Sequence, residues 1–477
     1  MKHILLVCAA IVLTPSLTLT QQGQLPITTA SPEARVLYQE ALDRVENLET
    51  DAARPLLDQA IQKDPDFAMA YALRASTGGG FKVSRQNLER AVSLAEKVSA
   101  GERQWILAMQ AISDGNLPKM KEHMAELLEL HPSDKHVVCA AGNMMRNVDA
   151  DEALALYTRA TAIDPAFAAA YNQIGYLRLR KNDLAGAEQA MKKYIATRPD
   201  SPNPYDSYAE LLLRMGRYDE SIAQYEKALT KAPGFGASMA GIGHNYVFKG
   251  DYAKARASYE RLHASANPQD RVAGLYWDAV SLVHEGKTAL ALQALDEERE
   301  LATKEGLAPA AMNTHLDQAR LLSEAGRAAE AMAHIDQAET MLGSESFAER
   351  QRAYWVRHVQ LVRALAAAQA RDFATARLQL ERAGSQPPPG LPAGWKQQHE
   401  AIAGIVDVLE GRYDAALSHL EAASPEDPVA MFYRAEALRL KGDTAGAADL
   451  YKKVATYNSN GMTYALVRAR AMKMAGT

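Results

Sequence analysis

The chain has 477 residues, with 53 basic and 58 acidic side chains and a formal charge of −5, and these are interspersed rather than gathered into the basic stripe of a nucleic-acid binder. Aromatics are only 7% and β-branched runs are scarce, which argues against a sheet protein; abundant Ala, Leu, Glu, Arg and Lys lose little in a helix and favour an all-α fold. Two cysteines, Cys8 and Cys139, exclude a disulfide framework.

Lys2 and His3 precede an apolar run from Ile4 to Leu13, followed by the polar stretch TPSLTLTQQ. A short basic region, an apolar stretch of about ten residues and a polar end are the layout of a secretory signal. Residues 1–20 are therefore expected to be a signal peptide, cut near Thr18-Leu19-Thr20, and the protein to be exported, periplasmic or secreted, from a bacterial cell. The run falls short of the roughly 20 apolar residues of a membrane span, and no later segment reaches that length. Cys8 has too few apolar residues before it, and a bulky Val7 beside it, to fit a lipid-attachment site. Cys139, left alone in the apolar setting Val137-Val138-Cys139-Ala140-Ala141, reads as a small hydrophobe of the core.

Residues 21–31 read as a flexible lead. From Pro32, placed where its missing N–H is harmless at a helix start, the pattern becomes helical. ARVLYQEALDRV is a first helix and DAARPLLDQAIQKDP a second, with Pro55 read as lying in the first turn. Second helices close at Pro65, Pro132, Pro165, Pro199, Pro233 and Pro268, at gaps of 67, 33, 34, 34 and 35, the first about twice the others. Each second helix opens on a small residue (Ala53, Ala153, Ala187, Ser221, Ala255), and four positions on comes a bulky one (Leu57, Tyr157, Met191, Tyr225, Tyr259). First helices align as well: Tyr171, Ile174 and Gly175 with Tyr205, Tyr208 and Ala209, then with Met239, Ile242 and Gly243. Turns recur at Asn182-Asp183, Gly216-Arg217 and Gly250-Asp251.

This unit resembles the tetratricopeptide repeat, a helix–turn–helix of 34 residues with aromatic, Leu-Gly, Tyr, Ala and Pro positions in register. Arg178 departs from it, standing where the family has a first-helix Tyr. The resemblance implies an all-α, right-handed superhelical solenoid of stacked helix-turn-helix repeats. Residues 32–266 form its N-terminal repeats, most regular over 134–266. Residues 267–457 are looser C-terminal repeats, opening second helices at Ala291, Ala331, Ala376, Ala416 and Ala447, with a Pro-rich loop at 384–394. About twelve units result, and residues 458–477 are expected to be a capping helix over the last apolar face.

No nucleophile elbow, zinc-protease, Walker or dinucleotide motif is present, so no enzyme activity, cofactor or metal is expected. Thr77 to Gly80 reads as a turn. His131, His136 and Cys139 have a superficially metal-like spacing but sit beside a closing proline and in an apolar run. In proteins of the resembling family, first helices line a groove that holds a peptide or protein segment. Carried over, the outward groove residues are Asn172, Tyr176, Arg180, Asn203, Asp206, Glu210, Arg214 and His244. Asp206 and Glu210 would repel the C-terminal carboxylate that some relatives grip. The expected function is a non-enzymatic scaffold of the cell envelope with a protein or peptide partner. The alternatives are an adaptor for polysaccharide or envelope-polymer assembly, using Tyr and Trp to stack on sugars, and an enzyme sited in the irregular units.

Overall fold

In the computed structural model, residues 23–78, 80–343, 349–384 and 394–476 are described. The expected signal peptide, and most of the Pro-rich loop at 384–394, lie outside them. The chain forms helices Pro32–Glu46 (α1), Thr50–Lys63 (α2), Ala68–Ser76 (α3), Phe81–Leu94 (α4), Ala100–Ser113 (α5), Leu117–Leu130 (α6), Lys135–Met145 (α7) and Ala150–Ile163 (α8). The most regular stretch follows with Ala168–Arg180 (α9), Leu184–Thr197 (α10), Asn203–Arg214 (α11), Tyr218–Lys231 (α12), Gly236–Phe248 (α13) and Tyr252–His263 (α14). Then come Pro268–His284 (α15), Thr288–Lys304 (α16), Ala308–Glu324 (α17), Ala328–Met341 (α18), Glu349–Gln369 (α19) and Phe373–Ala383 (α20). Trp395–Glu410 (α21), Tyr413–Ala422 (α22), Pro428–Lys441 (α23), Thr444–Ala455 (α24) and Met462–Ala475 (α25) complete the chain. Each odd helix packs against the even one after it, giving twelve stacked pairs and a final single helix among the described residues. This is the all-α solenoid expected of the repeat.

The punctuation has local causes. Side chains of Ser31, Ser99, Asp134, Asp149, Asp183, Asp251 and Asp443 accept hydrogen bonds from backbone N–H groups of the helices they precede, satisfying donors that a helix start leaves open. Between the helices of a pair the chain passes through left-handed backbone, at Gly250 with φ 76° and at Asn182 with φ 57°. Gly and Asn tolerate that region best, which explains the repeating Gly-Asp and Asn-Asp turns. Pro55 sits at the sixth residue of α2, a turn deeper than its sequence setting implied, and costs that helix one backbone hydrogen bond.

Packing within a pair follows the small and bulky columns. Ala53, Ala153, Ala187, Ser221 and Ala255 are fully buried, and the Ser221 hydroxyl donates to the Ala209 carbonyl at 2.7 Å. A Cβ on Gly243 would lie 2.1 Å from the Tyr259 ring, and one on Gly175 2.5 Å from Met191 Cε. Only glycine admits these neighbours so closely. Arg178 reaches Asp183 at 2.8 Å across the turn, so its charge stays paired at the surface while its stem covers the helix.

Two features of the N-terminal region differ from expectation. The lead is not free: from residue 23 it runs across the ends of the first repeats. Leu25 N–H donates to Asp134 Oδ2 at 2.7 Å, Ala30 N–H to Asp64 Oδ2 at 2.9 Å, and Thr28 N–H and Oγ1 to the two oxygens of Glu102 at 2.7 and 2.6 Å. Glu102 is fully buried and also completes the capping box of Ser99. Its loss leaves several donors without an acceptor, so Glu102→Ala is expected to cost about 2–3 kcal/mol. Limited proteolysis should then cut within residues 23–31, whereas a lead that stays uncut would contradict this anchoring. The second feature is curvature. Arg198, at the end of α10, meets Asp43 of α1 at 3.0 Å, so the array curls until the end of its fifth pair touches its first.

Candidate partner-binding channel

Odd helices touch the next odd helix at α3–α5, α9–α11, α11–α13, α13–α15, α17–α19, α19–α21 and α21–α23, and this side of the array forms the inner face of the curl. That face divides into three parts with different contents.

The first part is a cavity of about 430 Å3 walled by α1, α3, α5, α7 and α9. Tyr38, Leu42, Met69, Trp105, Met109 and Met144 make it mainly apolar, and the exposed side chains of Leu48 and Ile112 stand at its edge. Its polar groups come in pairs. His136 Nδ1 donates to Glu46 Oε1 at 2.7 Å, Arg146 Nη1 to Gln173 Oε1 at 3.0 Å, and the Tyr157 hydroxyl to Asn143 at 2.8 Å. Burial raises the Glu46 carboxyl. Burial also acts to lower His136, but the Glu46 hydrogen bond and charge outweigh it and raise the imidazole. Cys139 is buried in this wall and burial pushes its thiol well up, which leaves it an unreactive hydrophobe. Among the described residues no cluster of His, Cys, Asp and Glu has the makings of a metal site.

The second part holds most of the residues expected from sequence. Tyr176 Oη donates to Glu210 at 2.7 Å across one repeat, and Ser238 Oγ donates to Asp206 at 2.6 Å across the next. Burial, with Glu210 adding to it, pushes the Asp206 carboxyl up to about 7. Asn203 Nδ2 donates to the Tyr194 hydroxyl at 2.9 Å, and Arg180, which is exposed, donates to the Arg146 carbonyl at 3.1 Å. Asn172 is not outward-facing as expected: it is 2% exposed, and its Oδ1 has no hydrogen-bond partner. The cause is depth. Asn172 lies in the middle of α9 between the buried Ala169 and Gly175, not at the exposed end of the helix where Arg180 stands.

The third part, walled by α11, α13, α15 and α17, is filled by the protein's own C-terminus. The Arg214 guanidinium stacks on the Tyr457 ring at 4.4 Å. The Tyr218 hydroxyl donates to Asn458 Oδ1 at 2.9 Å. The Asn460 amide is held between two imidazoles, Nδ2 donating to His244 Nδ1 at 2.9 Å and Oδ1 accepting from His284 Nε2 at 3.0 Å. Burial pushes both rings down, His244 to about 3 beside His284, and His284 to about 4 with the Arg468 charge adding to it, so both are neutral at pH 7. Met462 and Ala465 then enter the apolar cluster of Ala279, Val280 and Leu321, and Tyr464 packs on Phe248. Arg214 and His244 thus contact a segment of the same chain. The C-terminal helix does cover α24, with the Tyr464 hydroxyl donating to the Val454 carbonyl, yet it reaches well beyond a cap. No periodic signal marked this; the only hint was turn chemistry in Asn458 to Gly461.

Sequence comparison agrees with the geometry. The tetratricopeptide repeat family matches residues 145–202 and 408–461 in one form and 203–234 and 237–262 in another. Over 107 residues the chain is 32% identical to "Protein CTR9 homolog" of Arabidopsis thaliana, a match that spans 22% of this chain and only 10% of that protein. Among solved structures, a tetratricopeptide repeat protein from Parabacteroides merdae is 17% identical with a TM-score of 0.36, covering 60% of this chain and 99% of its own. MamA from Desulfovibrio magneticus (15%, TM-score 0.31) covers 34% and 93%, and YrrB, titled a TPR protein with an unusual peptide-binding site (16%, TM-score 0.29), covers 37% and 91%. Fold and family matches agree on the repeat: residues 145–262 and 408–461 hold stretches similar to tetratricopeptide repeats, within an all-helical stack of helix pairs.

Proposed function

We propose that the protein holds a partner's peptide segment along its inner channel, anchored by apolar side chains in the cavity of α1 to α9. The observation that carries this is the third part of the channel, where the same kind of inner face already grips a segment of chain through stacked, hydrogen-bonded and apolar contacts. The first part offers similar chemistry without such an occupant among the described residues. Its 430 Å3 accommodates one or two large apolar side chains, and Met69, Met109 and Met144 give it walls that adapt to shape. The paired Glu46 and His136, with Gln173 and Asn143, supply hydrogen bonds that orient a backbone.

The test is a peptide selected from a displayed random library on the full chain. Met109→Glu places a charge in the cavity wall at a side chain that is only partly buried, so folding is spared. Affinity for the selected peptide is expected to fall at least tenfold (about 1.4 kcal/mol) with helical content unchanged. Equal affinity in the variant would remove the cavity from the reading. We further infer export to a bacterial envelope, on the support of the apolar run from Ile4 to Leu13 after Lys2 and His3. Terminal sequencing of protein recovered outside the cytoplasm should begin shortly after Thr20; an intact Met1 on cytoplasmic protein would contradict it.

A further inference from the structure

The segment from Tyr457 to Arg470 closes one third of the channel, and its contacts have the character of a bound ligand more than of a repeat. It is recognised by side chains from several repeats: Arg214 and Tyr218 on one unit, His244 and Tyr259 on the next, and His284 on a third. Ordinary repeat packing joins nearest neighbours only.

Three observations mark the segment as detachable. It enters through the short non-helical stretch 457–461, in which Asn458 holds left-handed backbone at φ 52°. Its helix, α25, follows Gly461 at the N-cap with no side-chain cap, which leaves its start weaker by roughly a few tenths of a kcal/mol than a capped one. Beneath it lies a space of about 190 Å3, bordered by Arg320, His358 and Gln398 on the wall side and by Leu466 and Val467 on the segment side. A helix seated over unfilled volume forgoes the contacts that close packing would provide. Its outer face, with Ala469 and Lys473, is exposed, so the segment is not enclosed on every side.

We propose that residues 457–470 are an internal occupant of the channel, an autoinhibitory latch that gives way to a partner segment of like chemistry. That partner presents an aromatic residue to Arg214, an amide to the His244–His284 pair three residues later, and apolar side chains to the α15–α17 pocket beyond. The proposal rests on the channel being a peptide site, and it assigns the state of its C-terminal third.

The test uses the full chain and a labelled synthetic peptide of residues 456–470. The double variant Tyr457→Ala, Asn460→Ala removes the ring on Arg214 and the amide between the histidines while leaving the apolar anchors in place. The peptide is expected to bind the double variant at least tenfold tighter than the wild type, because the internal competitor is weakened. Equal binding to both proteins, or none to the double variant with its helical content intact, overturns the proposal. Should the variant fail to fold, native-state hydrogen exchange of the wild type decides. Amides of α25 are then expected to open at lower denaturant than those of α13 and α15, and opening in step with them overturns the latch. The Met109→Glu variant keeps the two readings apart, since it alters the other cavity and leaves binding of the 456–470 peptide unchanged.

Discussion

Replacing Tyr259 with alanine is expected to destabilise the protein by about 3–5 kcal/mol, the range for removing a fully buried aromatic ring from a core. Tyr259 has no exposed surface, and its ring lies against Gly243, whose missing Cβ is what lets α13 and α14 approach. The ring fills the space over Gly243, so its removal leaves a hollow between α13 and α14. Its hydroxyl bonds His244 Nδ1 at 2.8 Å, so the same residue that packs a repeat also positions a channel side chain. Tyr259→Phe separates the two roles: it keeps the ring and should lose only about 1 kcal/mol, the worth of one hydrogen bond. Denaturant unfolding followed by circular dichroism measures both. An alanine variant within about 1 kcal/mol of the wild type would contradict the packing described.

A comparable loss, about 3–5 kcal/mol, is expected for Trp395→Ala. Trp395 is 1% exposed and packs with Leu361, Ala376 and Leu380. Its indole Nε1–H donates to the Gly384 carbonyl at 2.9 Å, so one side chain ties together the two ends of the Pro-rich insert. Loss of both ring and tie should loosen α19 to α21. In a solenoid, disturbance passes only to neighbouring units, so hydrogen exchange in α1 to α9 should stay as in the wild type. Faster exchange across the whole array would show a cooperativity that this architecture does not provide.

Much of the architecture was legible before any coordinates. The 34-residue recurrence of Ala187, Ser221 and Ala255 with Met191, Tyr225 and Tyr259 reports a contact between two helices of one unit. That contact is local and repeats in register, so periodicity reveals it. Depth within the curl was not legible. Asn172 and Arg180 belong to the same first helix, yet Asn172 lies within it and is covered, whereas Arg180 is its last residue and exposed. The cavity of α1 to α9 was missed for a related reason. Tyr38, Met69 and Met109 facing a hollow look in sequence like the same residues facing a core. The latch was hidden by distance: Tyr457 and Arg214 lie far apart in the chain and share no recurring pattern. Only turn residues at Asn458, Asn460 and Gly461 distinguished that stretch.

The lead shows the same limit on a smaller scale. Residues 23–31 are polar and carry Pro26, which reads as loose chain. Of their anchors, Asp64 closes α2, while Glu102 and Asp134 sit at the starts of α5 and α7, where acidic side chains already serve as helix caps. A cap that also holds a second strand of chain cannot be told from an ordinary one by residue type.

The most direct test of the channel is where a partner segment lies. A library-selected peptide carrying a photoreactive group at its central apolar position, bound to the full chain and irradiated, will mark its neighbours for mass spectrometry. The expected cross-links fall on Met69, Trp105, Met109 and Met144, on the inner faces of α3, α5 and α7. Cross-links confined to the outer helices α2, α4, α6 and α8 would contradict the account.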